Sequence, residues 1–207
     1  MTLRLIVLLV QVLALLCASA TFAYAHHVMG YETPATALDG FLSGIGHPVI
    51  GTDHLLFVIG AGVLAARVER GFLLPLVFVA ASTLAVCVRY AAPQAALSEL
   101  WVAGSLVVLA LLMLISSNPG RVLVATLFLL AGAIHGYALA EGIVGAERTP
   151  LHAYLAGLAL VVCVIAYSAW GAAVASFKAR PGLPLYRLTG LALGVAGLLF
   201  TANAALG

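Results

Sequence analysis

The chain has 207 residues, 64% of them apolar and 8% charged, with nine Lys and Arg against seven Asp and Glu for a formal charge of +2. Soluble domains carry roughly a quarter charged residues, so this composition excludes a soluble enzyme, and so small a basic excess excludes a surface that neutralises a run of nucleic-acid phosphates. About 20 apolar residues cross a bilayer as a helix, which makes the chain an all-α, polytopic membrane helix bundle.

Arg4 precedes an unbroken apolar stretch over 5–16, and the segment closes on Ala23-Tyr24-Ala25 followed by His26. This is the pattern of a secretory signal peptide over 1–25 with an A-x-A cleavage site; a retained first helix is the alternative. Cleavage would make His26 the mature N-terminus. Its α-amino group, its imidazole and His27 would then form a nitrogen-rich chelator on an access path, or merely a solvated pair. Cys17, Cys87 and Cys163 all lie in apolar runs without metal-ligand or redox spacing and read as packing residues.

The rest, 26–207, reads as a single transmembrane domain of six helices, at about 40–66, 72–89, 96–116, 120–142, 151–175 and 184–205, separated by Pro, Gly and charged breaks. Loops 67–71, 117–121 and 176–187 hold Arg67, Arg70, Arg121, Lys178, Arg180 and Arg187, whereas the alternate loops hold only Arg89 and Arg148. Positive loops stay cytoplasmic, so both mature termini are expected outside the cytoplasm, in a plasma (inner) membrane. Glu32, Asp39, Glu99 and Glu147 then lie outside, an acidic mouth for cations or simply solvated loops. The Gly190/Gly194/Gly197 series fits the small-residue packing of membrane helices, which makes the last helix structural.

The first of these helices opens on Gly46-His47-Pro48-Val49-Ile50-Gly51-Thr52-Asp53-His54. An acid and two imidazoles in hydrocarbon must pair, face a cavity or bind something. On a regular helix His47 and His54 share a face but are separated by about 10 Å of rise. Pro48 has no amide hydrogen and Gly51 accepts unusual backbone angles, so a break is predicted that lets both rings reach one point. Two imidazoles and a carboxylate suit a borderline divalent metal such as Ni²⁺, Co²⁺ or Zn²⁺ over the oxygen-seeking Mg²⁺ and Ca²⁺. The bland alternative is a polar cluster in which Asp53 fixes an imidazole tautomer.

A second cluster, His135-Gly136 with Glu141, ends the fourth helix on the same side of the membrane as His47. His135 and Glu141 are six residues apart, roughly 120° off a common face, so one would line the site while the other serves as gate, second shell or proton acceptor. Glu141 also reads as a solvated helix end. His152, at the outer start of the fifth helix, reads as an interfacial residue or a contributor to the access path.

The pattern His47-Pro48-x-x-Gly51-x-Asp53-His54, supported by His135-Gly136 with Glu141 and by a signal peptide ending before a His, resembles the HupE/UreJ family of nickel/cobalt permeases. The resemblance covers about 26–207. It implies a secondary transporter of Ni²⁺ or Co²⁺ with the His and Asp of the signature as metal-site residues, and the candidate set is His47, Asp53, His54, His135 and Glu141. Many members carry further histidines after the His-Gly pair, where this chain has Tyr137, Ala138 and Leu139, which leaves the number of ligands open.

No phosphate-cradling G-x-x-x-x-G-K-[ST] stretch is present, so no ATP-driven pump is expected, and no tightly bound cofactor. The expected partners are the divalent metal and the lipid bilayer, with homo-oligomer formation left open. Two alternatives stand beside a permease that is not an enzyme: an intramembrane zinc-dependent hydrolase, for which no clear nucleophile set is present, and a metal-sensing or assembly subunit that does not transport.

Overall fold

The computed structural model describes residues 33–92 and 99–206. The expected signal peptide, the His26-His27 pair and Glu32 lie outside the described residues. Regular structure among the described residues is entirely helical: α1 Ala37–Ile50, α2 Thr52–Ala65, α3 Leu74–Ala91, α4 Glu99–Ile115, α5 Arg121–Leu139, α6 Arg148–Ala179 and α7 Leu185–Leu206. Single 3-10 turns at Gly71–Leu73 and Ala140–Gly142 extend α3 and α5.

Four helical segments, Gly71–Ala91, Arg121–Gly142, Arg148–Ala179 and Leu185–Leu206, are long and apolar enough to cross a bilayer, and the broken pair α1 and α2 makes a fifth. The sixth expected span is α4, an apolar helix of 17 residues among the described ones, at the short end of what a crossing takes.

α1 begins at a capping box: Thr36 Oγ1 accepts from the Asp39 amide at 3.2 Å, and Asp39 Oδ2 accepts from the Thr36 amide at 2.9 Å. Two otherwise orphaned donors of the first turn are thereby satisfied. The helix runs through Pro48 and ends where the Gly51 amide donates to the His47 carbonyl at 3.0 Å. Gly51 leaves the helical region with φ −68° and ψ 93°. A new helix starts from its carbonyl, which accepts from the Leu55 amide at 2.9 Å. Between the two helices the chain bends by 78°. The helix expected over about 40–66 is therefore two helices, and the interruption expected from Pro48 and Gly51 falls at Gly51, with Pro48 kept inside the last turn of α1.

Lipid is as apolar as leucine, so these helices are held by close backbone approach and polar contacts rather than by the hydrophobic effect. α1 runs parallel to α6, with Gly40 against the Pro150 carbonyl and Gly44 against the Tyr154 carbonyl. α3 runs parallel to α5, with Gly132 against Phe78 and Gly136 against Ser82. α4 and α7 are antiparallel, and Gly190 and Gly197 of the expected stripe meet Met113 and Val107. α2 lies among α4, α6 and α7, and its Phe57, Val58, Ala61, Leu64 and Ala65 are buried. Leu84, Val88, Trp101, Ile115, Val122 and Leu198 point outward as a lipid-facing surface.

These directions sort the charges. Arg67, Arg70, Arg121, Lys178, Arg180 and Arg187 belong to one end, together with Glu69, and Asp39, Glu99, Glu141 and Glu147 to the other, together with Arg89 and Arg148. At the basic end the Arg67 guanidinium lies 4.2 Å from the Phe177 ring centre and 5.4 Å from that of Tyr186, joining α2 to α6 and α7.

Two glycine substitutions separate close approach from helix propensity. A methyl group on Gly132 would stand 2.7 Å from the Phe78 carbonyl oxygen and 2.8 Å from Ala81 Cβ, whereas one on Gly104 meets nothing within 4 Å. Gly132→Ala is expected to lower unfolding free energy by about 1–3 kcal/mol through overpacking, and Gly104→Ala to raise it by about 0.5–1 kcal/mol. Thermal unfolding of the detergent-solubilised variants checks both signs.

Candidate metal centre

The break at Gly51 sets two histidines beside each other. His47 ends α1 and His54 sits in the first turn of α2; both are 4% exposed, and their ring centres are 6.2 Å apart with planes at 86°. With metal–nitrogen bonds of about 2.1 Å, two imidazoles on one ion have ring centres about 5.2 Å apart at a tetrahedral angle and about 6.4 Å apart when opposed. The pair lies within that span. Gly51 is needed here for space as well as for its bend, since a Cβ would stand 2.7 Å from His54 Cδ2.

Asp53 lies between them in sequence and is half-buried. Its Oδ1 accepts from the His54 amide at 2.8 Å, which turns the carboxylate onto the N-terminal end of α2, where a negative charge is favoured.

His135 approaches from α5 and is fully buried. Its Nδ1 is 2.8 Å from His54 Nδ1, and its Nε2 is 2.8 Å from Ser105 Oγ on α4, which itself donates to the Val102 carbonyl at 2.7 Å. Phe57 and Phe78 wall this ring, with centres 4.5 and 5.6 Å from that of His135. Three histidines from three helices thus form one buried polar group. Among the described residues, no three His, Cys, Asp or Glu side chains are grouped so as to hold a metal ion.

The other candidates lie apart. Glu141 sits exposed on the 3-10 turn Ala140–Gly142, which folds over His47: a Cβ on Gly142 would stand 2.7 Å from His47 Nδ1. His152, on the first turns of α6, is also exposed.

The residues that complete the site include several that spacing along the chain did not single out. Ser105 is a lone polar residue in the apolar stretch of α4, which is the signal that could have found it. Ser43, one helical turn before His47, is 4% exposed. Arg89, read from the sequence as a loop charge, belongs to the last turn of α3 and is 7% exposed. Its Nη1 donates to the Tyr137 carbonyl at 2.8 Å, and its guanidinium lies 5.1 Å from the Tyr137 ring centre. Tyr154 Oη donates to the Leu139 carbonyl at 2.6 Å. Together they satisfy the orphan carbonyls at the end of α5, and the cation stands at the negative end of the helix dipole.

Removing that cap leaves a part-buried carbonyl without its donor. Arg89→Ala is expected to cost about 1–3 kcal/mol of stability, with Arg89→Lys recovering part of it. A Tm for Arg89→Ala within error of the parent protein would show that the cap contributes nothing.

The HupE / UreJ protein family matches residues 13–200, a stretch that includes all three buried histidines and the Gly51 break between two of them. No curated protein and no solved structure shows a significant match. With the family pattern spanning most of its length, the chain belongs to the HupE/UreJ family of membrane proteins.

Proposed function

We propose that this chain is a permease for a divalent transition metal, nickel or cobalt before other ions, with the His47 and His54 pair as the intramembrane metal site. The observation that carries the reading is the 6.2 Å separation of the two rings across a helix break, within the span of one ion. Imidazole nitrogen with a nearby carboxylate is a donor set for borderline divalent metals. Asp53 supplies that carboxylate.

On this reading, the end carrying Asp39, Glu99, Glu141 and Glu147 faces the outside and the six basic residues of the opposite end face the cytoplasm. The signal peptide is removed before His26, and α4 completes six crossings. Glu141, on the turn over His47, acts as an outer capture and gating group, with His152 and the His26-His27 pair along the access path. Inward movement of a divalent cation is favoured by about 4.6 kcal/mol per 100 mV, so no ATP is required.

Uptake of radioactive Ni²⁺ into proteoliposomes that contain only this chain tests the proposal. His47→Ala, Asp53→Asn and His54→Ala are each expected to reduce initial uptake at least about 100-fold while leaving membrane levels nearly unchanged, with a lowered Tm only in His54→Ala, which takes the partner from the buried His135 Nδ1. Protons compete with the metal for imidazole lone pairs, so apparent affinity is expected to fall as external pH is lowered. Undiminished uptake by the His47→Ala, His54→Ala double variant, or an affinity independent of pH, would overturn the proposal. A zinc ion that copurifies and does not exchange would favour a hydrolase instead.

A further inference from the structure

One hydroxyl decides the direction of the hydrogen bonds that link Ser105, His135 and His54. Ser105 Oγ carries a single hydrogen and donates it to the Val102 carbonyl at 2.7 Å. In its 2.8 Å contact with His135 Nε2 it must therefore accept, so His135 bears its hydrogen on Nε2. The lone pair of a neutral His135 is then on Nδ1, and the 2.8 Å contact between the two Nδ1 atoms makes His54 the donor. His54 consequently holds its hydrogen on Nδ1 and its lone pair on Nε2.

We infer that Ser105 and His135 are positioning residues, which lock His54 as its Nδ1–H tautomer and present its Nε2 as the metal-ligating atom, while His135 stays outside the coordination shell. The inference rests on the reading of His47 and His54 as the metal pair. Geometry separates the two contacts of His54. The Nδ1 atoms of His54 and His135 are 2.8 Å apart, the distance of a hydrogen bond and a little under the roughly 3.0 Å between neighbouring nitrogens on a six-coordinate ion with bonds of about 2.1 Å. The direction set by Ser105 fills that contact with the His54 Nδ1 hydrogen, which leaves neither nitrogen a lone pair for a metal there. The His47 to His54 separation of 6.2 Å has room for the ion. Phe57 and Phe78 enclose the His135 ring and leave the hydroxyl of Ser105 as the hydrogen-bond partner of its Nε2. A ligating imidazole whose other nitrogen donates to a fixed acceptor is held in orientation and made a better base, and loss of that acceptor costs about 10–100-fold in metal affinity.

The test combines ¹⁵N NMR of histidine-labelled protein in nanodiscs with Ni²⁺ titration and nickel X-ray absorption, using the full chain. In the metal-free protein the His54 signals, assigned by their absence from His54→Asn, are expected to show a protonated Nδ1 and an unprotonated Nε2. Ser105→Ala is expected to mix the two tautomers and weaken Ni²⁺ binding about tenfold, and Ser105→Thr, which keeps the hydroxyl, to restore both within about twofold. His135→Ala is expected to weaken binding about 10–100-fold while the number of imidazoles on bound nickel stays as in the parent protein. Loss of one imidazole from the nickel shell in His135→Ala would overturn the inference by making His135 a ligand. So would a His54 protonated on Nε2, or a Ser105→Ala protein with unchanged signals and unchanged affinity. Parent protein with the expected His54 tautomer that neither binds nor takes up Ni²⁺ would overturn the transport reading and leave the hydrogen-bond chain standing.

Discussion

Gly51 takes ψ 93° where a helical residue takes about −42°, and from that rotation the chain turns by 78° inside an otherwise apolar segment. A continuous helix would hold His47 and His54 about 10 Å apart along its axis, each a separate polar intrusion into the bilayer. The break converts the separation into a ring contact and opens the end of one helix and the start of another in the same place. The freed amides at the start of α2 attract the Asp53 carboxylate, so acid and imidazoles gather at one point because the backbone is interrupted there.

A second device keeps that point together. Nothing in hydrocarbon draws His135 toward α2 except van der Waals packing and hydrogen bonds, and the structure supplies both. Gly132 and Gly136 let α5 approach the backbone of α3 closely, and at the same end of α5 Arg89 and Tyr154 take up carbonyls that would otherwise be left bare. With the end of α5 fixed from two neighbouring helices, His135 is held against His54 on one side and Ser105 on the other. The polar interior is therefore a hydrogen-bonded unit contributed by α2, α4 and α5, walled by Phe57 and Phe78.

Charge placement adds a direction to this arrangement. Helix directions bring Asp39, Glu99, Glu141 and Glu147, against Arg89 and Arg148, to the end where the turn Ala140–Gly142 covers His47, and six of the basic residues, against Glu69, to the far end, where Arg67 is held against two aromatic rings. A field of that sense concentrates cations at the mouth nearest the histidines, which gives the proposed metal path its entrance.

Much of this was legible along the chain. Composition alone made the protein helical and membrane-embedded, the run from His47 to His54 marked both the polar site and an interruption, and the Lys and Arg pattern anticipated two ends of different charge. Periodicity placed the apolar helices, and Pro48 with Gly51 marked the interruption, but only the backbone shows that Gly51 alone makes the turn. The partnerships were not legible. His54 and His135 are 81 positions apart and Ser105 and His135 30, so which faces meet depends on how closely α5 and α4 pack about α2. Arg89 looked like a loop charge because sequence cannot show that the carbonyls of α5 end beside it. Residue types and their local spacing determined the chemistry present in the bilayer; helix packing decided which nitrogen meets which, because hydrogen-bond partners in this site come from different helices and no spacing along one of them records the other.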